Sequence, residues 1–112
     1  MLNGQMAQST LFNDLSQYTE NDPSFKIELI ELMIDNLREL QQAHTHSIVK
    51  NDPVDFLKAC HKVKTTLSML GNEELESAVL ELKKPGSSAA TVSLFNRLIE
   101  AIVSGLLAER QR

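Results

Sequence analysis

Apolar positions recur along this chain at spacings of three and four, in segments separated by short polar punctuation. The clearest run is Ile30, Met33, Leu37, Leu40 and His44, with Ile34 flanking, which is the core-facing stripe of an amphipathic helix. Asp22 stands at an N-cap position before it and Pro23 at the first helical position, where a missing N–H costs nothing. The helix is predicted to run into the high forties. The same device returns at Asn51-Asp52-Pro53, which breaks the chain and starts a helix whose inner stripe is Phe56, Cys60, Val63, Leu67 and Leu70. Gly71 suits the left-handed position just past its end.

Asn72 caps the next predicted helix, with Glu73 and Glu74 in its first turn and Leu75, Ala78, Val79 and Leu82 as its apolar face. Lys83 and Lys84 sit at its end, and Pro85-Gly86 stops it. Ser87 and Ser88 can cap a last helix with a stripe of Val92, Phe95, Leu98, Ile99, Ile102 and Leu106. A shorter leading helix is expected from about Ser9 to Tyr18, with Leu11, Phe12 and Leu15 on one edge. Strand-like alternation and internal repeats are missing. Helices with one apolar stripe each and short connections predict an all-α fold, an antiparallel four-helix bundle running up-down-up-down, with the leading helix across one end. The expected organisation is a flexible segment 1–8, one domain over 9–109 and a tail over 110–112.

Composition narrows the picture without changing it. The 112 residues are 42% hydrophobic, with no Trp and one Tyr, so one core must be built from aliphatic side chains. The net charge is −4, and no Lys/Arg cluster reaches the density that a nucleic-acid backbone demands. The single cysteine, Cys60, allows no internal disulfide and fits a reducing, cytoplasmic setting. No stretch reads as a targeting signal or a membrane span, so no membrane insertion is expected.

Candidate chemistry centres on HKVKTTLSMLG, residues 61–71. At about 100° per residue, with Phe56 at zero, His61 falls near 140°, Ser68 near 120°, Lys64 near 80° and Thr65 near 180°. His61 is therefore predicted to point away from the core, with Lys58 one turn before it and Lys64, Thr65 and Ser68 on the following turns. A solvated imidazole retains a substantial neutral fraction at pH 7, and its free ring nitrogen can act as a nucleophile. Lys64 is placed to draw an anion to that nitrogen and to neutralise a phosphoryl oxygen. A solvated helix face with no chemistry is the plain alternative for this pair taken alone.

The segment ACHKVKTTLSMLGNEELESAVLELK resembles the histidine phosphotransfer family, through Ala59, His61, Val63, Lys64, Thr65, Thr66, Leu70, Gly71, Leu75, Val79 and Leu82 in ungapped register. Upstream, DPSFKIELIELMIDNLRELQQA and NDPVDFLKACH are similar in form, so the resemblance spans roughly Leu11 to Lys84. It implies that His61 is phosphorylated on a ring nitrogen, that Lys64 is an electrostatic helper, and that Leu57, Lys58, Lys62, Thr65 and Ser68 form the docking face. It also implies response-regulator receiver domains, or a hybrid sensor kinase, as partners. The phosphoryl group would come from one receiver aspartate and pass to another, with no kinase activity, no cofactor in this chain, Mg²⁺ only in the receiver, and a monomeric state. Thr65 departs from the glycine that many members carry there and adds bulk beside the imidazole.

The remaining candidates are weaker. His44 lies on its helix's apolar stripe and His46 about 200° away, so the two are not expected to share a metal. Cys60 should be a small buried hydrophobe. The rival functions are a helical module that binds receivers without transferring phosphate and, further off, a phosphatase using His61 as a base. For the latter no second catalytic acid or oxyanion donor can be placed near His61.

Overall fold

A computed structural model describes residues 22–111, which are helical throughout apart from short connections, with no strand among them. The helices are α1 (Pro23–Lys50), α2 (Val54–Lys62), α3 (Lys64–Leu70), α4 (Glu73–Leu82) and α5 (Ala89–Arg110). The expected leading helix lies outside the described residues.

The ends form for the reasons the sequence suggests. Asp22 Oδ1 accepts the Phe25 N–H at 3.1 Å with Pro23 opening α1, and Asn72 Oδ1 accepts the Leu75 N–H at 2.9 Å at the start of α4. Ser88 caps α5 through the Thr91 N–H, while the Ser87 hydroxyl donates to the carbonyls of Glu81 and Lys84 at the end of α4. Gly71 takes the left-handed conformation at φ 59°. Asn51 does the same at φ 55° after α1, a position that asparagine tolerates better than most residues. At Asn51-Asp52-Pro53 the start of α2 falls one residue later than expected: Pro53 is the N-cap, and Asp52 Oδ1 takes the Val54 N–H.

One element differs from its expectation. The single helix anticipated between Asp52 and Gly71 is two, divided at Val63, whose ψ of 12° lies far from the helical value. Val63, Thr65 and Thr66 put three β-branched side chains in four positions, and such residues hold a helix weakly. Hydrogen bonding still crosses the break, from Val63 N–H to Ala59 O at 2.9 Å and from Leu67 N–H to Val63 O at 3.1 Å.

Cross-helix pairs fix the packing. Ser47 meets Phe56, Glu39 meets Lys62 and Asn36 meets Thr66, so positions rise along α1 as they fall along α2 and α3. Lys26 with Glu109, Arg38 with Glu100 and Gln41 with Asn96 trace the same antiparallel relation between α1 and α5. A further pair, Glu31 with Arg110, holds the last residue of α5, which the sequence reading assigned to the tail. Helix α4 packs on α5. Every residue of the expected stripes on α1 to α4 is buried, and α5 buries Phe95, Ile99, Ile102 and Leu106, with Val92 and Leu98 partly covered. By length and composition α5 is also apolar enough to cross a membrane, which the sequence reading did not anticipate.

His44 is buried, with Phe56 and Phe95 at ring-centroid distances of 4.9 and 5.6 Å. Desolvation lowers its proton affinity, so the unfolded chain binds more protons than the folded one below the ordinary value of 6.5. Denaturant titrations across pH are therefore expected to show stability that is full above 6.5 and declines as pH falls below it. His44→Leu should flatten that part of the slope. Ser47, also buried, accepts the Phe56 N–H at 2.9 Å, and Ser47→Ala should lower the unfolding free energy by about 1–2 kcal/mol, read from the denaturation midpoint.

Candidate functional site

The site is organised by what α2 and α3 bury. Phe56, Ala59, Cys60, Val63, Thr66, Leu67 and Leu70 face inward, which leaves His61, Lys64, Thr65 and Ser68 exposed on the opposite face. Lys64, Thr65, Ser68 and Met69 line an open depression of about 330 Å³ on the turns that follow the imidazole. Leu57 is 41% exposed and Lys58 is exposed one turn before it. The divide between α2 and α3 falls between His61 and Lys64.

Lys62 stands apart from the rest of the expected docking face. It is exposed, but its Nζ lies 3.0 Å from Glu39 on α1, so it leans toward that helix and is neutralised there. Lys58 and Lys64 have no carboxylate within ion-pair distance among the described residues. Lys58, whose charge also acts on Asp55 three residues before it, and Lys64 therefore flank His61, and Lys62 is turned toward α1.

Beneath the site, Cys60 is buried in the core. Burial pushes its thiol up, with the charge of Lys83 working in the opposite direction, and a protonated buried thiol is a poor nucleophile. Because Glu74, Ala78 and Glu81 line the groove shared with Thr91 and Leu94 of α5, helical phase turns the opposite shoulder of α4, with Glu76, Leu80 and Lys83, away from that groove.

His44 and His46 diverge, the first buried among aromatic rings and the second exposed. Among the described residues no three His, Cys, Asp or Glu side chains gather as a metal site. Thr66 was read from the sequence only as a small residue. Its buried hydroxyl accepts from Asn36 Nδ2 at 2.7 Å and ties α3 to α1 directly below the exposed face.

Family models, curated proteins and solved structures provide no match to this chain. Because Lys64 and His61 are exposed and outside the core, Lys64→Ala and His61→Gln should each leave the helical circular dichroism unchanged and shift unfolding free energy by no more than about 0.5 kcal/mol. A loss of helicity in either variant would contradict the surface placement.

Proposed function

We propose that this chain is a histidine phosphotransfer carrier, in which His61 accepts a phosphoryl group from a receiver-domain aspartyl phosphate and passes it to the aspartate of another receiver. The observation that carries the reading is an exposed imidazole followed one turn later by an exposed lysine with no carboxylate partner among the described residues, beside an open depression. The antiparallel pairs of α1 with α2, α3 and α5 support the finer architecture, an antiparallel four-helix bundle in which α2 and α3 together form one arm.

The chemistry asks little of the protein. The unprotonated ring nitrogen of His61 attacks phosphorus while the other nitrogen keeps its hydrogen. An N–P bond forms as the P–O bond to the aspartyl oxygen breaks, and the carboxylate leaves with the electron pair. Lys64 offsets the negative charge on the phosphoryl oxygens during transfer and on the product. The second transfer is the same step in reverse, onto a different carboxylate. Mg²⁺ belongs to the receiver, and the sequence has no glycine-rich phosphate loop with which to bind ATP. A freely accessible imidazole suits a carrier that must meet two partners in turn, as a monomer in the cytoplasm. A module that binds receivers without transfer is the second reading, favoured by the extra methyl and hydroxyl of Thr65 on the approach to the ring.

Incubation with a phosphorylated receiver and magnesium should place acid-labile, base-stable label on the wild type and none on His61→Gln. Lys64→Ala should slow labelling roughly tenfold. A wild type that binds receivers but never takes label would replace the carrier with the binding module.

A further inference from the structure

Helix α3 carries Lys64, Thr65 and Ser68, yet little of its own sequence fixes how it is turned. It has seven residues, no side chain caps its N-terminus, and the break at Val63 separates it from α2. A helix of about two turns does not hold itself in water, so its orientation must come from what it packs on. Leu67 and Leu70 anchor it in the core, but apolar burial has no preferred direction and tolerates rotation about the helix axis. The directional contact is polar. Asn36 Nδ2 of α1 donates to Thr66 Oγ1 at 2.7 Å, with Thr66 buried and Asn36 half-buried. Among the described residues this is the one side-chain hydrogen bond or ion pair that α3 makes. By contrast, α2 meets α1 through Phe56 with Ser47, Asp55 with Lys50 and Lys62 with Glu39. Thr66 stands two residues from Lys64, about 160° away around the helix, so whatever turns Thr66 off Asn36 swings Lys64 relative to His61.

We propose that Asn36 is a positioning residue for phosphoryl transfer: through the Thr66 hydroxyl it fixes the rotation of α3, and so holds Lys64 beside the imidazole of His61 from the buried side of the bundle. The inference rests on the carrier reading for the step that Lys64 assists. Asn36 touches neither the ring nor the phosphoryl group. Its loss leaves nucleophile and helper in the chain but frees the cation from the position in which it offsets phosphoryl charge, and that stabilisation weakens with misplacement. The effect therefore falls on the rate within the bound complex, and it is bounded by what Lys64 itself supplies. Leu57 and Lys58 lie on α2, which is tied to α1 independently, so partner affinity changes little.

The test measures initial labelling rates from a phosphorylated receiver against receiver concentration for the wild type, Thr66→Val, Thr66→Ser, Asn36→Ala and Ser47→Ala. Thr66→Val keeps the shape and removes the hydroxyl. It should lower the saturating rate roughly three- to fivefold and leave the half-saturating concentration within about twofold. Asn36→Ala should match it, and Thr66→Ser, which keeps the hydroxyl, should stay near the wild type. Ser47→Ala removes another buried cross-helix hydrogen bond, at α2, and should leave the rate unchanged, which separates positioning from a general loss of stability. Added to Thr66→Val, Lys64→Ala should slow transfer by much less than the roughly tenfold it costs the wild type. Equal saturating rates in Thr66→Val and Ser47→Ala, or full additivity with Lys64→Ala, would overturn the proposal. Amide hydrogen exchange followed by NMR on the same variants reads the hold on α3 directly. Exchange over Lys64–Leu70 should quicken in Thr66→Val and Asn36→Ala, with Val54–Lys62 unchanged. If the wild type takes no label, the carrier reading fails, while the hold on α3 still stands or falls on whether exchange there quickens in Thr66→Val.

Discussion

His44 and Phe95 each meet Phe56 edge to face, and are tilted against one another, where α1, α2 and α5 come together, with ring centroids between 4.9 and 6.1 Å apart. Aromatic side chains bury the most area per residue and have strong orientational preferences, so this contact sets the rotation of each helix about its own axis. For α2 the consequence is functional. With Phe56 held inward, Cys60 and Val63 must follow it into the core one and two turns later, and His61 must face out. A rotation of one residue toward the core would put the imidazole at the phase that Cys60 now occupies, inside the buried stripe.

The second constraint is electrostatic. Most surface cations sit opposite carboxylates of a neighbouring helix or turn, where each exposed pair contributes little to stability. Their value lies in what they leave over. Lys62 and Lys64 are two residues apart and nearly opposite in phase, so one is absorbed by Glu39 of α1 while the other remains open beside His61. Along α2 and α3, residues turned toward α1 serve the fold and residues turned away remain available to a partner.

The break at Val63 joins these themes. It sits between His61 and Lys64, yet the segment stays attached on both sides: Val63 is buried, and Thr66 holds Asn36 through a buried hydroxyl. A polar group that finds its partner in the interior stabilises one particular alignment more than a merely apolar contact does, because misalignment leaves it unsatisfied. The exposed face above it is thereby presented on a backbone fixed from below.

Much of this was legible in the chain itself. The apolar stripes on α1 to α4, the caps at Asp22, Asn72 and Ser88, the left-handed Gly71 and the outward phase of His61 all follow from local rules, since periodicity and capping depend on residues within one turn of each other. What local rules could not supply is anything that depends on which helix lies opposite. Ser47, Thr66 and Glu109 are polar residues that become buried only because α2, α1 and α1, respectively, provide their partners. The same dependence decided that Lys62 would pair with Glu39, while Lys64 has no carboxylate within ion-pair distance among the described residues. A helix determines its own inward face from its sequence, but its neighbours determine what its flanks become, and the surroundings of His61 are built from flanks.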